Sequence, residues 1–301
     1  MGFFVGLDAG GTATRALVLD VDGSRLGAGV AGGANPHSHP PEKAAEHVEQ
    51  ALRAALDGLD ARKVQSGVLG MAGTSRMADP RVSVLFEQAW ASSGLRCPMR
   101  VITDAEAAFA SGSPAPDGTV LIAGTGSIGA RIEDHRLTST TGGDGWLLGD
   151  EGSAYWLGRE AVRATLRALE AGTESPLTKA VLGRAKATTR RQLIAAVNAV
   201  APVVLATYAP LVTANAADPA ADAIISAAVA HLTALALAGH TPGTPLVLTG
   251  SLIHAHPLGA ALRRSLARRG PGPITTTTNG APGAAWLAAV ATLGAQAPRP
   301  A

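Results

Sequence analysis

The sequence predicts an α/β protein of two domains, built by duplication of one strand–turn–strand unit. Its 301 residues are enough for two domains. Strand-like and helix-like segments alternate along the first half, which is typical of an α/β sheet. The segments GLDAGGTATRALVL and LIAGTGSIGARI each carry an apolar run, a small-residue turn, a hydroxyl residue and an arginine. This repetition indicates two related halves with a cleft between them.

The first half begins with a predicted β-meander. Short apolar runs at residues 3–7 and 15–19 flank a glycine turn, and a turn at residues 21–24 leads to a third strand ending at Val30. A helix is predicted over about 41–56, because prolines precede it and apolar residues recur at helical spacing. The remaining predictions for this half are strands at 67–70 and 100–103 and helices at 81–92 and 104–111.

The second half repeats the strand–turn–strand pattern and then becomes helical. Strands at 119–123 and 128–132 flank a second glycine turn. From residue 153 to about 240 the alanine content and periodicity predict mostly helix. The last predicted elements are a strand at 245–249, helices at 258–268 and 282–293, and a frayed tail from Gln296.

Composition excludes several functional classes. Hydrophobic residues make up 47% of the chain and aromatic residues only 3%, so the core must consist mostly of alanine, valine and leucine. A net charge of +2 is too small for a nucleic-acid-binding stripe or a polybasic membrane face. The single cysteine, Cys97, excludes a disulfide, a thiolate zinc site or an iron–sulfur cluster within one chain. The longest apolar region, 199–217, is interrupted by Pro202 and Pro210. We therefore expect a cytoplasmic protein that binds neither nucleic acid nor membrane.

Two small-residue turns are suited to binding phosphates. The first contains Gly10, Gly11 and Thr12, and the second contains Gly124, Thr125, Gly126 and Ser127. Glycine permits close approach of the backbone, and successive N–H groups form an anion-binding nest. Glycine turns are also common in any chain rich in alanine and glycine. The equivalent hydroxyl positions in the two turns favour the phosphate interpretation. The motifs of P-loop nucleotidases and of Rossmann dinucleotide sites are absent.

Two aspartates follow predicted strands. Asp8 comes directly before the first turn, where a carboxylate can hold Mg²⁺ through water or can simply cap the turn. Asp104 follows the strand at 100–103 and begins a helix. It is either a helix cap or a general base that accepts a proton from an attacking hydroxyl.

A glycine-rich acidic loop, TGGDGWLLGDEGS at residues 141–153, lies beyond the second turn. Asp150 and Glu151 either complement the dipole of the following helix or accept sugar hydroxyl groups. Asn35 can bind a polar ligand or occupy an ordinary turn before proline. The histidine pairs His37/His39 and His254/His256 lack partners at zinc spacing. Trp146 is interpreted as a packing residue.

These motifs together resemble the N-acetylglucosamine kinase branch of the sugar kinase/actin/Hsp70 superfamily, within the BadF/BadG/BcrA/BcrD-type ATPases. The resemblance covers essentially the whole chain, and residues 148–156 are its most specific part. The matching segments follow the family's order. They are the first phosphate loop at 8–15, the first connecting helix at 102–105, the second phosphate loop at 121–127, the adenosine loop at 248–251 and the second connecting helix at 282–285.

The resemblance implies two actin-like (ribonuclease H-like) domains, at 1–112 and 113–301. It places a helical insertion at about 153–240 and the last helix, about 282–295, near the hinge. It implies a homodimer that phosphorylates the 6-hydroxyl of an amino sugar with ATP and Mg²⁺, with N-acetylglucosamine as the first choice.

The resemblance also implies roles for individual residues. Asp104 would be the catalytic base and Asp8 the residue that holds Mg²⁺. The implied ATP-binding residues are Gly10, Gly11, Thr12, Gly124, Thr125, Gly126, Gly250 and Ser251, with Ser251 near the adenosine. The implied sugar-binding residues are Asn35, Asp104, Ser127, Gly143, Asp144, Gly145 and Asp150.

One departure from the family pattern bears on the substrate. The family has an aromatic residue between two glycines where this chain has Asp144. A carboxylate there could attract the ammonium group of glucosamine, so a glucosamine kinase is an alternative. A non-catalytic sensor of sugar and ATP would also use these motifs, and so would an ATPase coupled to a protein partner.

Overall fold

The computed structural model describes residues 2–300 and confirms the α/β class. It contains two five-stranded mixed sheets. The strands are β1 (Phe3–Ala9), β2 (Ala13–Asp20), β3 (Arg25–Gly32), β4 (Val64–Met71), β5 (Met99–Thr103), β6 (Gly118–Ala123), β7 (Ser127–Glu133), β8 (Arg136–Gly142), β9 (Leu246–Thr249) and β10 (Ile274–Thr276). The α-helices are α1 (Pro41–Ala55), α2 (Pro80–Ser92), α3 (Asp104–Gly112), α4 (Gly145–Leu148), α5 (Ala154–Glu170), α6 (Pro176–Ala185), α7 (Arg190–Asn198), α8 (Ala209–Ala214), α9 (Pro219–Leu237), α10 (Leu258–Ala267) and α11 (Ala281–Leu293).

The chain forms two compact units. Unit 1 comprises the chain up to Asp117 together with Ile132–Leu137 and the residues from Asn279 onwards. Unit 2 comprises Gly118–Arg131 and Thr138–Thr278. Each unit contains one of the two sheets, except that the tip of the β7–β8 hairpin belongs to unit 1.

The sheet of unit 1 has the order β3-β2-β1-β4-β5. β1 pairs antiparallel with β2 and parallel with β4, which in turn pairs parallel with β5. Helices α1 and α2 pack on one face of this sheet. Phe86 of α2 joins Val5 and Leu7 of β1 in one core cluster. Residues of α3 and α11, among them Trp286 of α11, pack with Phe4 of β1 in a second core cluster. The carboxyl ends of β1, β4 and β5 therefore meet at one edge of the sheet.

The sheet of unit 2 has the order β10-β9-β6-β7-β8. Its parallel pairs are β6 with β9 and β9 with β10. The main core joins apolar residues of α5, α9 and α10 to those of β6 and β9. Within residues 2–300, α9 is the one helix with the length and hydropathy of a membrane span. Its residues Ala221, Ile225 and Leu232 are buried in this core.

Two strands, β8 and β10, were not anticipated from the sequence. β8 reads RLTSTTG and is exposed on both faces, so it lacks the alternation of apolar and polar residues that marks a half-buried strand. β10 has only three residues. The helical region predicted from 153 to about 240 is divided into five α-helices, with a 3₁₀ segment at Pro202–Tyr208 between α7 and α8.

Candidate active site

Asp8 lies near the end of β1, beside the start of α11. Its Oδ2 accepts a hydrogen bond of 2.8 Å from the N–H of Gly280. Burial raises the pKa of Asp8, while this hydrogen bond and the positive charge of Arg15 act in the opposite direction. Because burial disfavours the charged form of this carboxylate, a nearby cation would stabilise that form.

Asp104 is the first residue of α3, directly after β5. Its Oδ1 accepts a hydrogen bond of 3.0 Å from the N–H of Ala105. Burial, with a further contribution from the negative charge of Asp8, raises the pKa of Asp104 to about 6. A carboxyl group with this pKa is largely ionised at neutral pH and is a better proton acceptor than an ordinary aspartate.

Two glycines allow the elements that carry these carboxylates to approach closely. A Cβ atom on Gly70 of β4 would lie 2.5 Å from the Cβ of Ala107 on α3. A Cβ atom on Gly280 would lie 3.1 Å from the Cγ of Asp8 and 3.2 Å from the Cβ of Ala107. The absence of side chains at both positions lets α3 and the start of α11 pack against the edge of the sheet next to Asp8.

The first turn joins β1 to β2 and is fixed by its own backbone. The N–H of Gly10 donates to the carbonyl of Ala13, and the carbonyl of Gly10 accepts from Ala34 and Asn35. Gly11 and Thr12 are exposed. Gly11 and Thr12 therefore form the exposed part of this turn.

Asn35 lies beside this turn. Its backbone N–H donates to Gly10 over 3.2 Å, and its Oδ1 accepts from the N–H of His37. His39, which was considered only for a zinc role, has its Nε2 2.8 Å from the carbonyl oxygen of Gly11. Asn35 and the first phosphate turn are thus held together within unit 1.

The second turn is anchored to the start of α5. The N–H groups of Ala154 and Tyr155 donate to the carbonyls of Gly124 and Thr125 over 2.9 and 3.1 Å. The N–H of Gly124 donates to Gly126. Since the first amides of α5 are already bound, this helix end offers no free anion site, and any phosphate must be met by the turn itself.

Asp150 reaches back to the second turn from the acidic loop. Its Oδ1 accepts from the N–H of Ser127 over 2.9 Å, and Ser127 Oγ donates to the carbonyl of Glu151 over 3.0 Å. Asp150 has a φ of 60°, a left-handed conformation that aspartate tolerates better than most residues. Burial, with the negative charges of Glu151 and Asp144, raises the pKa of Asp150, whereas the hydrogen bond from Ser127 lowers it.

Most of the other residues in the first part of the acidic loop are exposed or are glycines with positive φ. Gly143 and Gly145 have φ of 76° and 80°. Asp144 is exposed and precedes the single turn of α4, and the side chains of Leu147 and Leu148 are also exposed. Trp146 is 42% exposed, with its ring 5.9 Å from that of Tyr155. Trp146 is therefore a partly exposed residue of α4 that packs beside Tyr155.

A cavity of about 450 Å³ lies beside the predicted sugar-binding residues of unit 2. Polar groups of Ser127, Asp150 and His231 line it, together with the apolar side chain of Leu235. Its size and mixed lining suit a small polar ligand with an apolar substituent. His231 is 81 positions from Asp150 and belongs to α9, so no local sequence signal points to it.

A second cavity of unit 2, about 190 Å³, lies next to Ser251. Gly250 has a φ of 102°, and a Cβ atom there would lie 2.2 Å from the carbonyl oxygen of Ala123. The residue before Ser251 thus packs directly against the strand that leads into the second turn. The cavity is lined by Ala154, Ala206, Ala209, Pro210, Thr213, Ser251, Leu252 and Ala255.

The predicted site residues fall into two sets. Unit 1 holds Asp8, Gly10, Gly11, Thr12, Asn35 and Asp104. Unit 2 holds Gly124, Thr125, Gly126, Ser127, Gly143, Asp144, Gly145, Asp150, Gly250 and Ser251. Sequence reasoning missed Glu106, Gly280 and His39 in the first set and His231 in the second. A T-x-x-E capping-box pattern at residues 103–106 was available as a signal for Glu106.

The carboxylates of unit 1 fit a hydrated magnesium ion. Asp8 supplies hard oxygen atoms, as Mg²⁺ requires, and Mg²⁺ commonly keeps most of its water ligands. Among the described residues, no group of three or more histidine, cysteine, aspartate or glutamate side chains forms a closed metal site. The donor set therefore suits an ion bound through water and phosphate, with Asp8 as the protein contact.

Comparison with known proteins shows the family to which the sequence is similar. Residues 5–288 match the BadF/BadG/BcrA/BcrD ATPase family. An N-acetyl-D-glucosamine kinase of Dictyostelium discoideum is 29% identical over 204 residues, which cover 64% of this chain and 63% of that protein. An N-acetylmuramic acid/N-acetylglucosamine kinase of Clostridium acetobutylicum is 28% identical over 172 residues, 56% of this chain and 55% of that protein. The chain thus aligns with less than two thirds of the length of these curated relatives.

Solved structures share the whole fold. A structure from Chromobacterium violaceum, described as a provisional N-acetylglucosamine kinase, is 29% identical with a TM-score of 0.76 and covers 95% of this chain and 99% of its own. A ROK family glucokinase from Streptomyces griseus, solved with glucose and AMPPNP, is 20% identical with a TM-score of 0.58, over 95% and 99% of the two chains. The two sheets therefore belong to two actin-like domains.

Proposed function

Because the chain belongs to the BadF/BadG/BcrA/BcrD ATPase family, we propose that it is an ATP-dependent kinase of an amino sugar. N-acetylglucosamine is the substrate we propose first, with the 6-hydroxyl as the acceptor. The observation that carries the proposal is Asp104, a carboxyl group with a pKa raised to about 6 in the same unit as Asp8 and the first phosphate turn. A buried carboxyl group with a raised pKa suits the role of general base for a sugar hydroxyl.

In the proposed reaction Asp104 accepts the proton of the sugar hydroxyl as its oxygen attacks the γ-phosphorus of ATP. The bond between the hydroxyl oxygen and the γ-phosphorus forms while the bond from this phosphorus to the β,γ-bridging oxygen breaks, and ADP leaves. The proton on Asp104 then passes to water. Mg²⁺, when bound through water beside Asp8, neutralises charge on the phosphates.

The two turns and the second cavity of unit 2 would bind ATP. Backbone amides and hydroxyl groups at Gly11, Thr12 and Thr125 would hold the phosphates, with Gly10, Gly124 and Gly126 shaping the turns. The cavity beside Gly250 and Ser251 is mostly apolar, which suits the flat face of a purine base.

Sugar recognition is assigned to Asn35 in unit 1 and to the acidic loop in unit 2. Asp150 would accept sugar hydroxyl groups with the oxygen not bound to Ser127, and Gly143 and Gly145 would let the loop backbone approach the ring. The cavity of about 450 Å³ offers an apolar wall at Leu235 for an acetyl methyl group. This mixed lining supports N-acetylglucosamine as the first choice.

A glucosamine kinase is the second candidate function. Asp144 is exposed, and its negative charge contributes to the raised pKa of Asp150, so this loop carries negative potential from both carboxyl groups. An ammonium group on the sugar would be attracted to this pair. The balance between the two substrates is therefore assigned to Asp144.

The decisive experiment is ADP release by the purified protein with Mg-ATP and each of five sugars. The panel is glucosamine, N-acetylglucosamine, N-acetylmuramic acid, N-acetylmannosamine and glucose. We expect turnover on one amino sugar, and we expect Asp104→Ala to abolish it while ATP binding is retained. Bound ATP without turnover on any sugar would favour the sensor or a partner-coupled ATPase. Full activity of Asp104→Ala would refute the assignment of the base.

The expected cellular location is the cytoplasm.

A further inference from the structure

Glu106 lies on the first turn of α3, two residues after Asp104. Its Oε2 accepts hydrogen bonds from the backbone N–H of Thr103 over 2.6 Å and from Thr103 Oγ1 over 2.8 Å. Thr103 Oγ1 in turn accepts from the N–H of Glu106 over 3.1 Å. These bonds form a complete capping box around the start of α3.

The other carboxylate oxygen of Glu106 leaves the helix. Its Oε1 accepts a hydrogen bond of 3.2 Å from the backbone N–H of Leu137, at the tip of the β7–β8 hairpin. Leu137 and Glu106 both belong to unit 1. One side chain therefore binds the end of β5, the start of α3 and a segment 31 residues further along the chain.

The position of Asp104 depends on this turn. Asp104 is the first residue of α3, so its backbone conformation is fixed only when the first turn is formed. A short helix of nine residues gains little from its own propensity, and its ends fray unless they are capped. Catalysis needs the base within a few tenths of an ångström of its working position.

We propose that Glu106 is a positioning residue for the catalytic base: it orders the first turn of α3 through Thr103 and ties that turn to the hairpin at Leu137. Glu106 does not touch the substrate in this role and acts only through Asp104. The inference rests on the proposed kinase function for its kinetic consequence. The structural part of the proposal is independent of activity.

The test compares Glu106→Ala with Glu106→Gln. Alanine removes every acceptor, so we expect kcat to fall about ten- to a hundredfold with the KM for ATP nearly unchanged, because the base is misplaced while the nucleotide site is intact. Glutamine keeps one carbonyl oxygen and is an accepted capping-box residue. Its NH2 group cannot accept a hydrogen bond from the N–H of Leu137, so we expect Glu106→Gln to keep the cap, lose the bond to the hairpin and recover kcat only in part.

Asp79→Ala is the matched control. Asp79 caps α2 in the same unit by accepting a hydrogen bond of 3.0 Å from the N–H of Arg81. Its loss should destabilise the protein to a similar degree without lowering kcat. Should Glu106→Ala fold poorly, Thr103→Val removes only the hydroxyl of the capping box and is expected to lower kcat in the same direction.

Hydrogen exchange provides a readout that needs no turnover. The amides of Thr103 and Leu137, both bound by Glu106, should lose protection in Glu106→Ala and keep it in Asp79→Ala. Unchanged protection of both amides, or a kcat of Glu106→Ala within twofold of the wild type, would overturn the proposal. A wild-type protein that is inactive on all sugars would instead defeat the proposed function, and the exchange experiment would still decide the role of Glu106.

Discussion

At the scale of single residues, the candidate site shows how burial changes an ordinary side chain. Asp104 has a normal aspartate carboxyl group, yet burial and the charge of Asp8 raise its pKa to about 6. A raised pKa favours proton acceptance but makes the ionised group costly to keep in the folded protein. Activity and stability are therefore coupled to the same group.

Replacement of Asp104 by asparagine should stabilise the protein at neutral pH. The folded-state pKa lies above the ordinary value of 3.8, so the folded protein binds the extra proton, and this contribution is lost as the pH rises through about 6. Relative to the wild type, Asp104→Asn should gain roughly 2–3 kcal/mol in unfolding free energy between pH 4 and pH 8. Urea unfolding at several pH values measures the difference. A pH-independent difference would show that Asp104 has an ordinary pKa.

Asp144 should influence the choice between the two amino sugars. Asp144→Trp removes the negative charge and supplies a flat apolar face, so it should raise activity on N-acetylglucosamine relative to glucosamine. The ratio of the two kcat/KM values is the measurement. Asp144→Asn is the control that removes the charge alone and should shift the ratio in the same direction by a smaller factor. An unchanged ratio in both variants would remove Asp144 from substrate selection.

At the scale of elements, α3 begins with Asp104 and packs against α11, which begins directly after the Gly280 amide that binds Asp8. The two helices pack closely because the facing residues are small, among them Ala107, Ala110 and Gly283. The N–H of Gly283 donates to Ser111 Oγ over 2.7 Å. The carboxyl end of α3 is bound by Arg299, which donates to the carbonyls of residues 110, 111 and 113. Helix α3 is thus held at both ends.

The close packing of α3 and α11 predicts a large effect for one added methyl group. A Cβ atom on Gly283 would lie 2.2 Å from the backbone N of Ser111, so Gly283→Ala must force the helices apart and should cost about 1–3 kcal/mol. Gly183, exposed on α6, has no neighbour within 4 Å of its Cβ position. Gly183→Ala should instead stabilise the protein by about 0.5–1 kcal/mol through helix propensity. Denaturant unfolding of both variants tests the contrast, and equal effects would contradict it.

At the scale of the whole molecule, the composition is consistent with the cores that form. Alanine, valine and leucine dominate the buried residues, as the low aromatic content required.

The resemblance to the sugar kinases also implies a homodimer. Light scattering on the purified protein should therefore give twice the mass of one chain. The mass of a single chain across the working concentration range would contradict the expected dimer.

The sequence by itself determined the fold class, most elements and the residue types of the candidate site. The strands with apolar runs and the capped amphipathic helices were predictable, because local spacing and caps report local structure. The strands β8 and β10 were not predictable: β8 is exposed on both faces and β10 is held by its pairing with β9. Neither has a local pattern that distinguishes a strand from a loop.

Only the tertiary structure decided how distant residues act together. It placed Gly280 against Asp8, 272 positions away, and brought His231 to the cavity beside Asp150. It also showed that Glu106 binds Leu137 as well as its own capping box. Burial and long-range hydrogen bonds arise from packing between segments, and a pKa such as that of Asp104 depends on both. The sequence names the groups available for chemistry, and packing sets their charge and position.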